Sequence, residues 1–165
     1  MNVIIRPSQD SDLPAITAIY GGSVLTGTAS WEYDPPDLAE ITRRRADVLA
    51  KGFPYFVAEV GGKLAGYCYA SSYRARIGYR FVVEDSVYVL PELIGQGIGK
   101  KLLMTLIAEC GRRGFKQMIA VIGDSDNAGS IGLHKACGFT QVALFKAIGF
   151  KFDRWLDSVQ MQRAL

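Results

Sequence analysis

Between Val82 and Leu103 the chain reads VVEDSVYVLPELIGQGIGKKLL, and no other segment constrains the fold as tightly. Its first part alternates and is rich in Val and Tyr, the pattern of a β-strand. Three glycines follow, Gly95, Gly97 and Gly99. Ile98, Leu102, Leu103, Leu106, Ile107 and Cys110 then recur at spacings near those of one helix face. A glycine turn that opens into a helix leaves several backbone N–H groups without internal partners, at the positive end of the helix dipole. Such a place binds anions, and a phosphate or pyrophosphate fits it best.

Two common phosphate loops are excluded. A Walker A loop needs glycine at position 94 and Ser or Thr after Gly99-Lys100, but the chain has Ile94 and Lys101. A dinucleotide fingerprint needs glycine at 102 or at 100, which are Leu and Lys. What remains is G-x-G-x-G followed by a basic residue. Its glycines serve either an anion cradle or close packing of strand on helix.

The 165 residues fit one domain, and a hydrophobic content of 49% supplies a sizeable core. A net charge of +3 is too small and too scattered for a nucleic-acid protein, yet it suits an anionic cosubstrate. Cys68, Cys110 and Cys137 sit in apolar contexts without metal or redox spacing, as expected of reduced residues in a cytoplasmic protein. The single His excludes a multi-His metal site. No signal peptide and no membrane-length apolar run is evident.

Strands and helices alternate along the chain. The pattern predicts a strand at 3–6 and a helix carrying Leu13, Ile16 and Ile19, capped by Ser11 or Asp12. A loop at 26–34 and a polar helix over 36–51 follow. Gly61-Gly62 joins a hairpin of strands at 55–60 and 63–71. The central strand spans 81–90 and its helix 97–113. A strand at 117–122, a helix at 127–137 stopped by Gly138, and closing strands at 141–148 and 155–162 complete the order. The class is α/β (α+β), with a mixed, mostly antiparallel sheet flanked by helices and one βαβ crossover.

Four more segments accompany the glycine turn: TASWEY at 28–33, RARIGYRFVVEDSVYV at 74–89, NAGSIGLHKACGF at 127–139 and GFKFDRWLD at 149–157. Together they resemble the phosphinothricin and methionine-sulfoximine N-acetyltransferase branch of the GNAT superfamily, and the likeness covers almost the whole chain. Two positions depart from the branch. Ile94 stands where a basic or amide residue is usual, and Asp153 where glycine usually precedes Arg154-Trp155.

The resemblance implies a GNAT fold over residues 1–165. It also implies transfer of acetyl from acetyl-CoA to the primary amine of a small amino acid analogue such as methionine sulfoximine, methionine sulfone or phosphinothricin. Gly95, Gln96, Gly97, Ile98, Gly99 and Lys100 would then hold the pyrophosphate. Backbone groups of Val87, Tyr88 and Val89, with Asn127, would hold the pantetheine arm. An incoming ammonium must lose a proton, which places Glu84 as general base; otherwise it is an exposed strand carboxylate. Asp85 points to the opposite sheet face and is the poorer base. His134 stands where many GNAT enzymes keep a tyrosine that protonates the departing thiolate; a structural histidine is the alternative.

A substrate carboxylate calls for arginine, and Arg74 and Arg76 share one face if their segment is extended, with Tyr79 nearby. Trp31, Asp85 and Ser86 complete the implied substrate set, although Trp31 equally suits a core anchor. The implied reaction needs no metal. A homodimer is the family expectation, with no nucleic acid or membrane partner. Rival readings are acetylation of a polyamine, an aminoglycoside or a protein N-terminus, or a CoA-binding module without catalysis.

Overall fold

The computed structural model describes residues 2–165. Seven strands form one sheet: β1 (Val3–Pro7), β2 (Tyr55–Val60), β3 (Lys63–Ser72), β4 (Val82–Val89), β5 (Gln117–Gly123), β6 (Thr140–Lys151) and β7 (Arg154–Ala164). Their order across the sheet is β1-β2-β3-β4-β5-β7-β6. Every neighbouring pair is antiparallel except β4 and β5. That pair is parallel because a helix, α3 (Ile98–Arg112), carries the chain from one to the other.

Helices cover both faces. α1 (Leu13–Thr26) and α2 (Leu38–Ala50) lie on the face that carries Tyr67 and Tyr69 of β3, where Tyr20 meets Tyr88 edge-on at 5.2 Å between ring centroids. α3 and α4 (Ala128–Ala136) lie on the other, where the Cys68 thiol reaches the Leu102 carbonyl. The six α3 residues picked out by spacing, Ile98 to Cys110, are all buried. Among the described residues no helix is long and apolar enough to cross a membrane.

Several boundaries differ from those expected, each for a local reason. α1 runs on through Gly21-Gly22 to Thr26. The burial of Tyr20 and Val24 continues its apolar face. α2 starts at Leu38 because Asp37 caps it, accepting from the Glu40 N–H at 2.8 Å. β6 and β7 are longer than their sequence suggests and meet in a tight turn at Phe152-Asp153, with φ of 52° and 55°. This left-handed turn accounts for the glycine usual at position 153; aspartate is one of the few residues that tolerate the conformation.

The segment from Arg74 to Phe81 is not extended. It folds into bends and a 3-10 turn at Ile77–Tyr79. Alternation therefore does not set the facing of Arg74 and Arg76, and the expectation that they share a strand face is corrected.

Candidate active site

Pairing between β4 and β5 covers only Val82–Glu84 against Gln117–Ile119. Beyond that point β4 continues to Val89 and β5 to Gly123 without further mutual hydrogen bonds. The two strands splay, and the gap opens a cleft of about 190 Å³. Glu84 to Tyr88 form one wall and Ala120 to Gly123 the other; Ala29 and Ser30 close one side, with Asn127, Ser130 and His134 on α4. Backbone groups of β4 that a regular sheet would pair have no β5 partner beyond Glu84.

Glu84 sits where the pairing ends. Burial, then the charge of Asp85, pushes its carboxyl up from the ordinary range to about 7. A carboxylate poised there accepts a proton efficiently near neutrality. Glu84 and Ser86 lie on the α1–α2 face, with Ser86 directly opposite Tyr69 of β3.

Asp85 faces the other way, as alternation predicts, and it too lines the cleft. Its side chain is buried, with Oδ2 2.9 Å from His134 Nε2. The Nδ1–H of His134 donates to the Ser130 carbonyl at 2.8 Å, and Ser130 Oγ lies 3.4 Å away. Because the carbonyl only accepts, Nδ1 carries a hydrogen, and one further proton lies between Nε2 and Oδ2. Burial opposes charge on the imidazole; the bond and charge of Asp85 outweigh it, so His134 titrates above its ordinary value. Among the described residues Asp85 Oδ1 is buried without a partner.

The glycine turn resolves into two kinds of position. Gly95 and Gly97 have φ of 82° and 81° and open space where a Cβ would stand. Gly97 is the N-cap of α3 and offers no side chain to the first N–H groups, so those donors face outward. Gly99 is different: a Cβ there would lie 3.3 Å from Leu133, and its absence lets α3 pack on α4. Close packing is thus the role of Gly99, against a helix more than the strand expected from sequence, while Gly95 and Gly97 hold left-handed turn positions. Gln96 turns back to the Glu92 carbonyl at 3.2 Å. The Asn127 side chain caps α4 through the Ser130 N–H at 3.1 Å while also lining the cleft. Val87 and Tyr88 line the cleft as well.

Arg74 and Tyr79 line a neighbouring hollow of about 440 Å³ that shares Val121 with the cleft. The Arg74 guanidinium sits 5.2 Å from the Tyr73 ring centroid and 5.7 Å from that of Tyr79. Arg76 is exposed and lines neither space. Trp31 is wedged between two glycines. A Cβ on Gly149 would stand 2.6 Å from its ring, and one on Gly123 2.8 Å from its Nε1. Ser30, Ser130 and the β5 wall escaped the sequence reading. Ser130 was within reach of it, since it precedes His134 by one helical turn; nothing in the sequence marks Ser30.

The family model described as the acetyltransferase (GNAT) family matches residues 18–139. The chain belongs to the GNAT acetyltransferase family. It is 57% identical over 161 residues to the phosphinothricin N-acetyltransferase of Alcaligenes faecalis, covering 98% of this chain and 82% of that one. It is 39% identical over 163 residues to the L-methionine sulfoximine/L-methionine sulfone acetyltransferase of Pseudomonas aeruginosa, covering 98% and 94%. Its fold superposes with a TM-score of 0.97 on the GNAT phosphinothricin acetyltransferase of Sinorhizobium meliloti, solved in complex with acetyl-CoA, at 48% identity over 100% of this chain and 89% of that one. The chain is therefore an acetyltransferase, and the splayed β4–β5 cleft belongs to the same fold that holds acetyl-CoA in that relative.

Proposed function

We propose that this acetyltransferase moves acetyl from acetyl-CoA to the primary amine of a small amino acid analogue, of the class of phosphinothricin, methionine sulfoximine and methionine sulfone. The observation that carries the reading is Glu84: a carboxyl held near 7 where β4 and β5 part. There it takes the proton of an incoming ammonium, directly or through water, and frees the nitrogen lone pair for attack. A backbone N–H among Val87–Val89 donates to the thioester oxygen as negative charge gathers on it. The N–H groups at Gly95–Lys100 hold the pyrophosphate, and Asn127 holds the pantetheine amide. His134 is the reservoir for the proton that the departing thiolate takes up; both His134 and Ser130 line the cleft, with Ser130 Oγ 3.4 Å from Nδ1.

On the substrate side the reading assigns Ser86, Trp31, Tyr79 and the two arginines. Arg74, stacked on Tyr73 and Tyr79 beside the cleft, is the better-placed partner for a carboxylate. Arg76 would need its exposed turn to fold inward. Residues 1–165 act as one domain in this reading, in the cytoplasm and without a metal. A homodimer is proposed through the β6–β7 hairpin, where Phe145, Ile148, Phe150, Phe152 and Trp155 are exposed.

An amine panel with thiol detection tests the assignment. Turnover with phosphinothricin and methionine sulfoximine well above that with polyamines, aminoglycosides and peptide N-termini is the expected result. The reverse ranking would refute the substrate class, and no turnover with any amine would refute the reaction.

A further inference from the structure

Lys151 ends β6 and is 3% exposed. Its ammonium donates to three main-chain carbonyls: Val24 at 2.7 Å, Gly27 at 2.8 Å and Ser30 at 2.7 Å. The Phe152 ring covers it, with the centroid 5.0 Å away. All three N–H donors are used, and among the described residues no carboxylate forms an ion pair with it. Glu32 is the acidic group that acts on it through space.

A buried ammonium without an ion-pair partner is costly, and three good acceptors are the least that sustains it. What it collects is informative. Val24 lies in the last turn of α1 and Gly27 is its C-cap, so these carbonyls belong to the negative end of that helix. Ser30 follows in a stretch without regular structure. The loop from Gly27 to Ser30 thus wraps one positive charge.

That loop supplies Ala29 and Ser30 to the wall of the cleft and is followed at once by Trp31, wedged against Gly123 and Gly149. Its ties to other elements also include the Gly27 N–H to the Ser23 carbonyl at 2.9 Å, the Thr28 hydroxyl to Asp124, just past β5, at 3.0 Å and the Ser30 hydroxyl with Tyr20 at 2.9 Å. All run to the end of β5, α1 and the β6–β7 hairpin, and none to the Gly95–Lys100 turn. We infer that Lys151 is a positioning residue for the amine substrate: its caged ammonium fixes the Gly27–Trp31 loop as the cleft wall on the side away from the pyrophosphate turn. The inference rests on the reaction proposed above and adds a residue to it that touches no reactant.

Lys151→Met keeps the aliphatic stem and leaves the three carbonyls without a donor. Lys151→Gln restores donors to part of the cage and serves as the milder variant should the Met form fail to fold. The expected result is a rise in the amine KM of at least tenfold for Met and an intermediate rise for Gln. The acetyl-CoA Kd by calorimetry should stay within about twofold of the parent. An unchanged amine KM with a lowered Tm would make Lys151 merely structural and overturn the inference. Parallel loss of acetyl-CoA affinity would overturn it as well, since the lesion would then be global.

A readout independent of turnover separates this inference from the substrate assignment. The chain has 2 tryptophans, so in a Trp155→Phe background the emission reports Trp31 alone. Lys151→Met should shift that emission to the red and raise its quenching by acrylamide. An unchanged Trp31 signal would refute the clamp even if the proposed amines prove to be the right substrates. A shifted signal would uphold it even if they prove wrong.

Discussion

Glu84→Gln separates the catalytic from the structural consequence of one carboxyl. Burial and the neighbouring Asp85 raise Glu84 from 4.5 to about 7. In the unfolded chain it ionises near 4.5, so below that pH both states are protonated and no penalty exists. Between 4.5 and about 7 the unfolded state gives up its proton first, and stability falls as pH rises; above about 7 the full cost is present. At about 1.4 kcal/mol for each pH unit, the cost is at most about 3.5 kcal/mol. Glu84 still faces the open cleft, and solvent screening reduces this to roughly 1–2 kcal/mol. Glutamine keeps the shape and removes the charge.

The variant should therefore melt higher than the parent at pH 8, by roughly 3–6 °C for a chain of this size. Near pH 4.5 the two should melt together. Turnover should fall by about 10²–10⁴ with acetyl-CoA binding intact. Differential scanning fluorimetry across pH, paired with thiol-release kinetics, measures both. Titration of the substrate amine complicates the kinetics but cannot enter the melting curves of the free enzyme. A Tm difference that does not change between pH 4.5 and 8 would refute the raised carboxyl, and a loss of less than tenfold in rate would move the base elsewhere.

Three further outcomes are expected. Asp85→Asn removes the negative charge beside Glu84, so the acidic inflection of kcat/KM should move to lower pH, read from a pH–rate profile. Gly97→Asp places a side chain at φ of 81° and a negative charge among outward N–H groups, so acetyl-CoA affinity in calorimetry should fall at least tenfold with the fold retained by circular dichroism. His134→Ala leaves Asp85 buried and unpaired and should destabilise by about 3–5 kcal/mol in urea unfolding; a larger Tyr at that position, packed edge-on to Phe139, should overpack and restore little.

The strand–turn–helix at Val82–Arg112 was legible because local pattern and tertiary role agree there. Alternation, left-handed glycines and a helical apolar stripe all specify the same geometry. The Glu84–Asp85 facing was legible for the same reason, since a strand side chain has only two directions to take. The Arg74–Phe81 segment was not, because alternating residues read as extended while the edge-on contact of Tyr73 with Tyr79 and the Arg74 guanidinium over both rings favour a compact turn.

The pairings that define the site's electrostatics are long-range, and here sequence is silent. Asp85 and His134 stand 49 residues apart, and Lys151 reaches a carbonyl 127 residues away. Each alone reads as an ordinary polar residue; together they show how the cleft is built. On one side a buried carboxylate holds an imidazole proton, and on the other a buried ammonium holds a loop. Between them stands Glu84, titratable near neutrality because the strands part beside it. Both buried charges are expensive for stability; Asp85 and His134 line the opening between β4 and β5, and Lys151 holds the loop whose Ala29 and Ser30 line it. Folding alone would be served as well by apolar residues at 85, 134 and 151. Their common placement therefore argues that these polar groups are kept for the chemistry of the cleft, with the rest of the core bearing their cost.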